Sequence, residues 1–315
     1  MNVELADIRE AAERIRPIAH RTPVLSSRLF NQEVGLDCVF KCENLQRGGA
    51  FKIRGASNLI FSLSAEQRAG GVVSYSSGNH AQAVAIAAEF TGAPATLVMP
   101  EDAPRSKLAA TRSHGAKIVT YDRFAGSREA IGRQIAEETG AILVPPYDHP
   151  LTIAGQGTAA LEFLEDEPDL DALVICIGGG GLIAGCSIAA KALKPGIRVF
   201  GVEPEIANDA YLSFEAGRRI EIPTPNTIAD GLCSPCPGEL TFPIIQQHVE
   251  QVLLVSETEI RETVKFLLSR LKILAEPSGA VAAAAVLYGK LPADVGRVGI
   301  VISGGNVDFE TLAQF

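Results

Sequence analysis

Short runs of Val, Ile, Leu and Ala recur along the chain without polar alternation, at 72–75, 95–99, 117–120, 142–144, 173–177, 198–202, 252–255 and 299–302. Runs of this length and composition predict strands covered on both faces. Between them lie stretches that predict helices over 79–90, 104–114, 127–139, 151–165, 181–193, 257–272 and 278–288. Strand and helix alternating at this spacing imply βαβ units, a mostly parallel sheet and an α/β fold. Residues 71–147 hold four such units, enough for a small sheet of their own. The expected organisation is a large domain from 1–70 and 149–315, with a small α/β domain, 71–148, inserted into it.

Composition narrows the class. Hydrophobic residues make up 47% of the 315 and charged residues 21%, as in an ordinary packed protein. The net charge of −9, from 28 basic against 37 acidic residues, argues against a broad nucleic-acid surface or a polybasic membrane anchor. The first eighteen residues are charged and helix-periodic, with no apolar secretory core, and stretches such as 280–288 are too short to span a bilayer. Six cysteines are too sparse for a secreted disulfide framework. These features lead us to expect a cytoplasmic protein that acts on a small molecule, without nucleic-acid or membrane partners.

The first candidate for chemistry is Gly178-Gly179-Gly180-Gly181-Leu182-Ile183-Ala184-Gly185, between the strand at 173–177 and the helix at 181–193. Bare backbone amides would converge there on a positive helix N-terminus, which binds phosphate. A glycine turn that merely lets strand and helix pack is the plainer alternative. Four consecutive glycines, however, cost considerable chain entropy. Gly179, Gly181 and Ala184 also satisfy G-x-G-x-x-A, with Glu203 at the end of the next strand, so an NAD-binding dehydrogenase is a rival reading.

Three further turns call for one explanation. Gly49-Ala50-Phe51-Lys52-Ile53-Arg54-Gly55-Ala56 sets a lysine beside an aromatic ring at the head of a helical stretch. Ser76-Ser77-Gly78-Asn79-His80-Ala81-Gln82 follows a strand and opens a helix, and Ser303-Gly304-Gly305-Asn306 follows the last strand. All lie at expected carboxyl ends of strands, where open α/β sheets place their ligands. Singly, each reads as a solvated lysine, a helix cap or a turn. The dehydrogenase reading leaves all three unexplained.

Together these motifs resemble the pyridoxal-phosphate enzymes of fold type II, the tryptophan synthase beta-like class, and within it the serine/threonine dehydratase and serine racemase branch. The likeness runs from Thr22-Pro23 through Ile153-Ala154-Gly155-Gln156-Gly157-Thr158 to Ser303. It implies two open, twisted, mostly parallel sheets flanked by helices. By this resemblance Lys52 carries the cofactor covalently and then serves as the base at the substrate Cα. That role requires a lowered pKa. Phe51 would pack near the pyridine ring, Asn79 would bond its 3′ oxygen, and Gly178, Gly179, Gly180 and Gly181 would hold the phosphate. Ser303 would meet the ring nitrogen with a neutral hydroxyl, a weaker electron sink than a carboxylate partner would give. Ser76, Ser77, His80 and Arg128 would bind the substrate, with Ser77 handling a proton on the face opposite Lys52.

The same resemblance implies a site for Mg²⁺ or Ca²⁺ at Glu203, Asp209 and the carbonyl of Ala207, an oxygen set suited to hard cations. It also implies a homodimer and α,β-elimination of a 3-hydroxy-α-amino acid to a 2-oxo acid and ammonia. L-Threonine and L-serine are the leading substrates. Serine racemisation, or a bulkier 3-hydroxy acid such as 3-hydroxyaspartate or phenylserine, stays open, since Tyr147 stands where animal racemases carry Asn. Ending at Phe315, the chain leaves no room after the last motif for a C-terminal regulatory domain. Cys233 and Cys236, with Cys38 and Cys42, lack the compact frame of a zinc site. Asp148-His149 reads as a loop, because sequence neighbours seldom point together.

Overall fold

The computed structural model describes residues 3–76, 78–101, 105–122 and 127–315, with backbone alone at 105–107 and 110. Its strands are β1 (Val24–Ser26), β2 (Cys38–Cys42), β3 (Val72–Tyr75), β4 (Ala95–Pro100), β5 (Lys117–Tyr121), β6 (Ile142–Leu143), β7 (Ala172–Cys176), β8 (Arg198–Pro204), β9 (Gln251–Val255) and β10 (Val298–Ile302). All eight expected strands are present, and β1 and β2 are added to them. The strands form a six-stranded sheet, β1-β2-β10-β7-β8-β9, and a four-stranded sheet, β5-β4-β3-β6. Every pairing is parallel except β1 with β2.

Burial explains why apolar runs marked the strands. Every residue of β2, β3, β7 and β10 is buried, because helices cover both faces. The main core packs this larger sheet against the helices Pro150–Asp166, Gly181–Leu193 and Pro277–Leu287. A second core joins the smaller sheet to the helix Asn79–Thr91 and to Ile53, Ala56, Leu59 and Ile60. Those four residues belong to the helix Lys52–Ser62, which therefore stands between the two cores with Lys52 at its head. Full burial of a side chain such as Phe40, Phe163 or Phe200 contributes about 1.5–3 kcal/mol each.

The helices fall close to expectation. The segment expected at 104–114 is helical from Arg105 to Ser113, and position 104 lies outside the described residues. The helix expected over 257–272 ends as an α-helix at Phe266 and finishes in a π-turn, Leu267–Leu271. Its closing residue Lys272 has φ +63°. The turn keeps Leu267 buried while Leu268 faces outward. Among the described residues no helix is long and apolar enough to cross a membrane.

The topology sets the site. In the larger sheet the chain leaves β7 toward β8, whereas β10 lies on the other side of β7. In the smaller sheet β3 is likewise flanked by β4 and β6. Crevices at such switch points, outside the carboxyl ends of strands, are where open α/β sheets bind ligands. The glycine loop follows β7, Ser303 follows β10, and Ser76 follows β3.

Candidate active site

Lys52 is the first residue of its helix, held there by backbone bonds on either side. Phe51 N–H donates to the carbonyl of Ser303 at 3.1 Å, and Ala50 bridges to Gly304. The Lys52 Nζ donates to the carbonyl of Pro146 at 2.9 Å and lies 5.1 Å from the Phe51 ring centroid. Desolvation at this half-buried position, aided by the Arg128 charge and opposed by Cys176 and Glu276, lowers its pKa to about 8. A desolvated lysine without a hydrogen-bonded carboxylate keeps a neutral, nucleophilic fraction near neutral pH.

Two branches radiate from this amine. Along one, Glu276 accepts a bond from Asn79 Nδ2 at 2.6 Å, and Asn79 Oδ1 accepts from Asn306 Nδ2 at 2.9 Å. Asn306 Nδ2 also reaches the Gly48 carbonyl at 2.7 Å. Both ends of the Asn79 amide are thereby fixed. Along the other branch, Cys176 Sγ donates to Ser303 Oγ at 3.4 Å, across the neighbouring ends of β7 and β10. Burial pushes the Cys176 thiol up to about 11, so Ser303 faces a neutral neighbour.

The glycine loop opens the helix Gly181–Leu193, with Gly180 as its cap at φ +93° and no side chain satisfying the first amides. A side chain at Gly180 would be strained by that angle, and one at Gly179 would overlap the Tyr147 ring. Gly178 and Gly179 are half-buried, and the other two glycines are buried. A bare backbone cradle at a positive helix end fits a phosphate group. This chain therefore has the parts for pyridoxal phosphate: an activated amine, a fixed amide, a neutral hydroxyl and an anion cradle.

The expected substrate residues are placed unevenly. Ser76 is half-buried at the end of β3, and Ser77 lies outside the described residues. His80 is buried, with Nε2 at 3.0 Å from the Val144 carbonyl. Burial and the Lys52 charge drive its pKa down to about 3, so it is neutral and donates through Nε2, leaving Nδ1 without a partner. Arg128 begins the helix Arg128–Thr139, and its charge acts on Lys52, His80 and Tyr147. The structure thus brings Arg128 to the site from a surface-like helix.

Glu203 and Asp209 are both fully buried. Glu203 accepts from the N–H groups of Ala210 at 3.2 Å and Tyr211 at 2.7 Å, while among the described residues no N–H donor reaches either Asp209 oxygen and Glu203 itself is the hydrogen-bonding neighbour of Asp209. Burial pushes both carboxyls up, and the Asp209 charge adds to the rise at Glu203. Ala207 lies buried between them in sequence. Among the described residues no three His, Cys, Asp or Glu side chains cluster as a metal site, so this pair could hold only a hard cation completed by carbonyl or water oxygen. All six cysteines are free.

Sequence reasoning missed Glu276, Cys176, Pro146 and Thr241 as parts of the site, and it quoted Asn306 in the last motif without giving it a role. Of the four missed, only Glu276 carried a local signal, an acid immediately before a proline-started helix. Asp148 and His149 do form a loop. His149 caps the helix Pro150–Asp166, and Asp148 accepts the N–H groups of residues 239–241.

Known proteins are similar to this chain over nearly its full length. A family model described as pyridoxal-phosphate dependent enzyme matches residues 15–304. The chain is 49% identical over 307 residues to the L-threo-3-hydroxyaspartate ammonia-lyase of Saccharomyces cerevisiae, covering 98% of this chain and 94% of that protein. It is 47% identical over 309 residues to the serine racemase of Schizosaccharomyces pombe, covering 98% and 96% respectively. The solved structure of maize serine racemase matches with a TM-score of 0.96 and 46% identity, over 100% of this chain and 97% of that one.

Proposed function

The chain belongs to the pyridoxal-phosphate dependent enzymes, and from that premise we propose that it is an ammonia-lyase for 3-hydroxy-α-amino acids. Among the substrates expected from the sequence, we place L-threo-3-hydroxyaspartate ahead of L-threonine and L-serine. Arg128 supports this order, because its charge reaches the Lys52 amine and could pair with a second carboxylate. The 49% identical relative of that name supports it too. The observation that carries the lyase reading is Lys52, with its pKa lowered to about 8 between the Asn79–Glu276 and Cys176–Ser303 branches.

Bound, the cofactor supplies an aldehyde for amine capture and a ring that draws electrons from Cα. Lys52 Nζ would hold the cofactor and, once released, would take the Cα proton. The amides of Gly178 to Gly181 would hold the phosphate, Asn79 Nδ2 would bond the ring's 3′ oxygen, and Phe51 would pack beside the ring. Ser303 Oγ would meet the ring nitrogen. Ser76 and the N-terminus of the helix Asn79–Thr91 receive the substrate carboxylate, with neutral His80 packed behind them. Loss of the β-hydroxyl as water and hydrolysis of the resulting enamine give a 2-oxo acid and ammonia.

Serine racemisation is the second reading, favoured by the 47% identical relative and by Ser77, assigned to the face opposite Lys52. The orphaned Asp209 oxygens and buried Glu203 support Mg²⁺ or Ca²⁺ at Glu203, Asp209 and the Ala207 carbonyl. The proposal also includes a homodimer, a cytoplasmic location and a small inserted domain at 71–148. All four strands of the smaller sheet fall within that span.

The test is an absorbance spectrum and borohydride reduction of the purified protein, followed by peptide mapping and a substrate screen. Reduced pyridoxyl on Lys52 is the expected result, and its absence from Lys52 would sink the mechanism. The 2-oxo acid should form fastest from L-threo-3-hydroxyaspartate. A higher kcat/KM for L-threonine would reverse the substrate order, and D-serine formed from L-serine at a comparable rate would favour the racemase.

A further inference from the structure

A run of glycines can approach an anion closely, but it does not hold its own shape. In this chain the shape is imposed from outside. The Gly179 carbonyl accepts Thr241 Oγ1 at 2.7 Å and the Gly238 N–H at 3.2 Å. Because a peptide is planar and trans, pinning the Gly179 oxygen toward Thr241 turns the Gly180 N–H the opposite way, away from the anchoring helix. Thr241 is fully buried and begins the helix Thr241–His248.

That helix start is itself held. Asp148 Oδ2 accepts the Glu239 N–H at 2.9 Å, and Oδ1 accepts those of Leu240 at 2.9 Å and Thr241 at 3.3 Å. A carboxylate on first-turn amides is a strong, charge-assisted clamp. Asp148 belongs to the same loop as Pro146, whose carbonyl takes the Lys52 amine, and Tyr147, whose ring lies against Gly179 and whose Cβ and backbone lie against Gly181. One short loop therefore touches both ends of the space assigned to the cofactor.

We propose that Asp148 and Thr241 are positioning residues that set the glycine loop for phosphate, through the relay Asp148 – residues 239–241 – Thr241 Oγ1 – Gly179 carbonyl. The inference rests on the reading that this loop holds the cofactor's phosphate. Neither side chain touches the cofactor in this scheme. The Gly179 carbonyl is aimed by Thr241, and Thr241 is aimed by Asp148.

The experiment reconstitutes the full chain with pyridoxal phosphate or with pyridoxal, which lacks the phosphate, and measures each dissociation constant by absorbance. Wild type should prefer the phosphorylated aldehyde. Thr241→Val and Asp148→Asn should each weaken pyridoxal phosphate about tenfold and leave pyridoxal within about twofold, as expected for one lost hydrogen bond. Thr241→Ser, which keeps the hydroxyl, should behave as wild type. Equal weakening of both aldehydes, or an unchanged preference in Thr241→Val, overturns the proposal. Should Asp148→Asn fail to fold, the Thr241→Val and Thr241→Ser pair decides. If wild type itself shows no preference, the phosphate reading fails first and the inference falls with it.

Discussion

Two sets of buried acids in this molecule are built on opposite terms. Behind the Lys52 helix, Arg54 is fully buried and bonds Glu43 at 2.7 and 2.8 Å and Glu162 at 2.8 Å through two nitrogens. Buried Lys41 adds a bond to Glu162 at 2.7 Å, and Thr22 Oγ1 donates to Glu43 at 2.6 Å. Two cations meet two carboxylates, and each acid is multiply bonded. At the end of β8, by contrast, Glu203 and Asp209 are buried together, and among the described residues no N–H donor reaches either Asp209 oxygen. Buried charge survives when it is paired and hydrogen-bonded. The first set is scaffold that fixes the helix carrying Lys52 to β2 and to the helix Pro150–Asp166. The second has no cation of its own among the described residues, which is why the proposal places Mg²⁺ or Ca²⁺ there.

Breaking the balanced set should have the largest effect. Arg54→Ala leaves buried Glu43 without a cation and half-buried Glu162 with Lys41 alone, a loss of about 3–5 kcal/mol for one broken buried pair. Thermal unfolding should show a fall in Tm of many degrees, and cofactor retention should fall with it because Lys52 lies two residues away on the same helix. A variant with wild-type Tm would mean that water reaches this cluster and that the contrast is false.

The acid pair should respond to cations in a way the balanced cluster does not. Saturating Mg²⁺ or Ca²⁺ at about 100 times its dissociation constant should stabilise by about 2.7 kcal/mol, and chelation should reverse it. Asp209→Asn removes the acid whose charge raises the Glu203 pKa, so it should raise the Tm of chelated protein while abolishing the cation response. An Asp209→Asn protein that still gains stability from Ca²⁺ would place the cation elsewhere.

The same contrast explains what could be read from the sequence. The eight apolar runs became strands because a strand covered on both faces must be apolar throughout. β2 escaped notice because its fourth residue, Lys41, is buried by virtue of Glu162, 121 residues away. Lys52, Asn79, Ser303 and the glycines could be singled out since each sits in a compact motif, the last three at strand ends and Lys52 at the head of a helix. The partners that aim them were not. Glu276 lies 197 residues from Asn79, and Thr241 lies 62 from Gly179. Nothing local to Asp148 or Arg54 distinguishes it from a surface charge until the fold supplies its partners. Even the expected Asp148 loop gave no hint of the three amides it clamps.

Lys52 lies between the two extremes, a single desolvated cation with a carbonyl as its hydrogen-bond acceptor, and it yields the smallest and most specific effect. Its pKa in the folded chain is lowered to about 8, from 10.5 in the unfolded chain. Between those values the unfolded chain binds a proton that the folded chain does not, so stability attributable to this residue rises with pH. The penalty is full below pH 8 and is relieved as pH climbs toward 10.5. In cofactor-free protein, Lys52→Met should therefore be more stable than wild type at pH 7, and the gap in Tm should close by pH 10. Capture of pyridoxal phosphate follows the neutral amine. Its rate should rise about tenfold per pH unit below the pKa and level off near pH 8. A plateau reached only near 10.5 would show that the Lys52 amine is as well solvated as a surface lysine, and the contrast between paired and unpaired buried charge would not extend to the candidate active site.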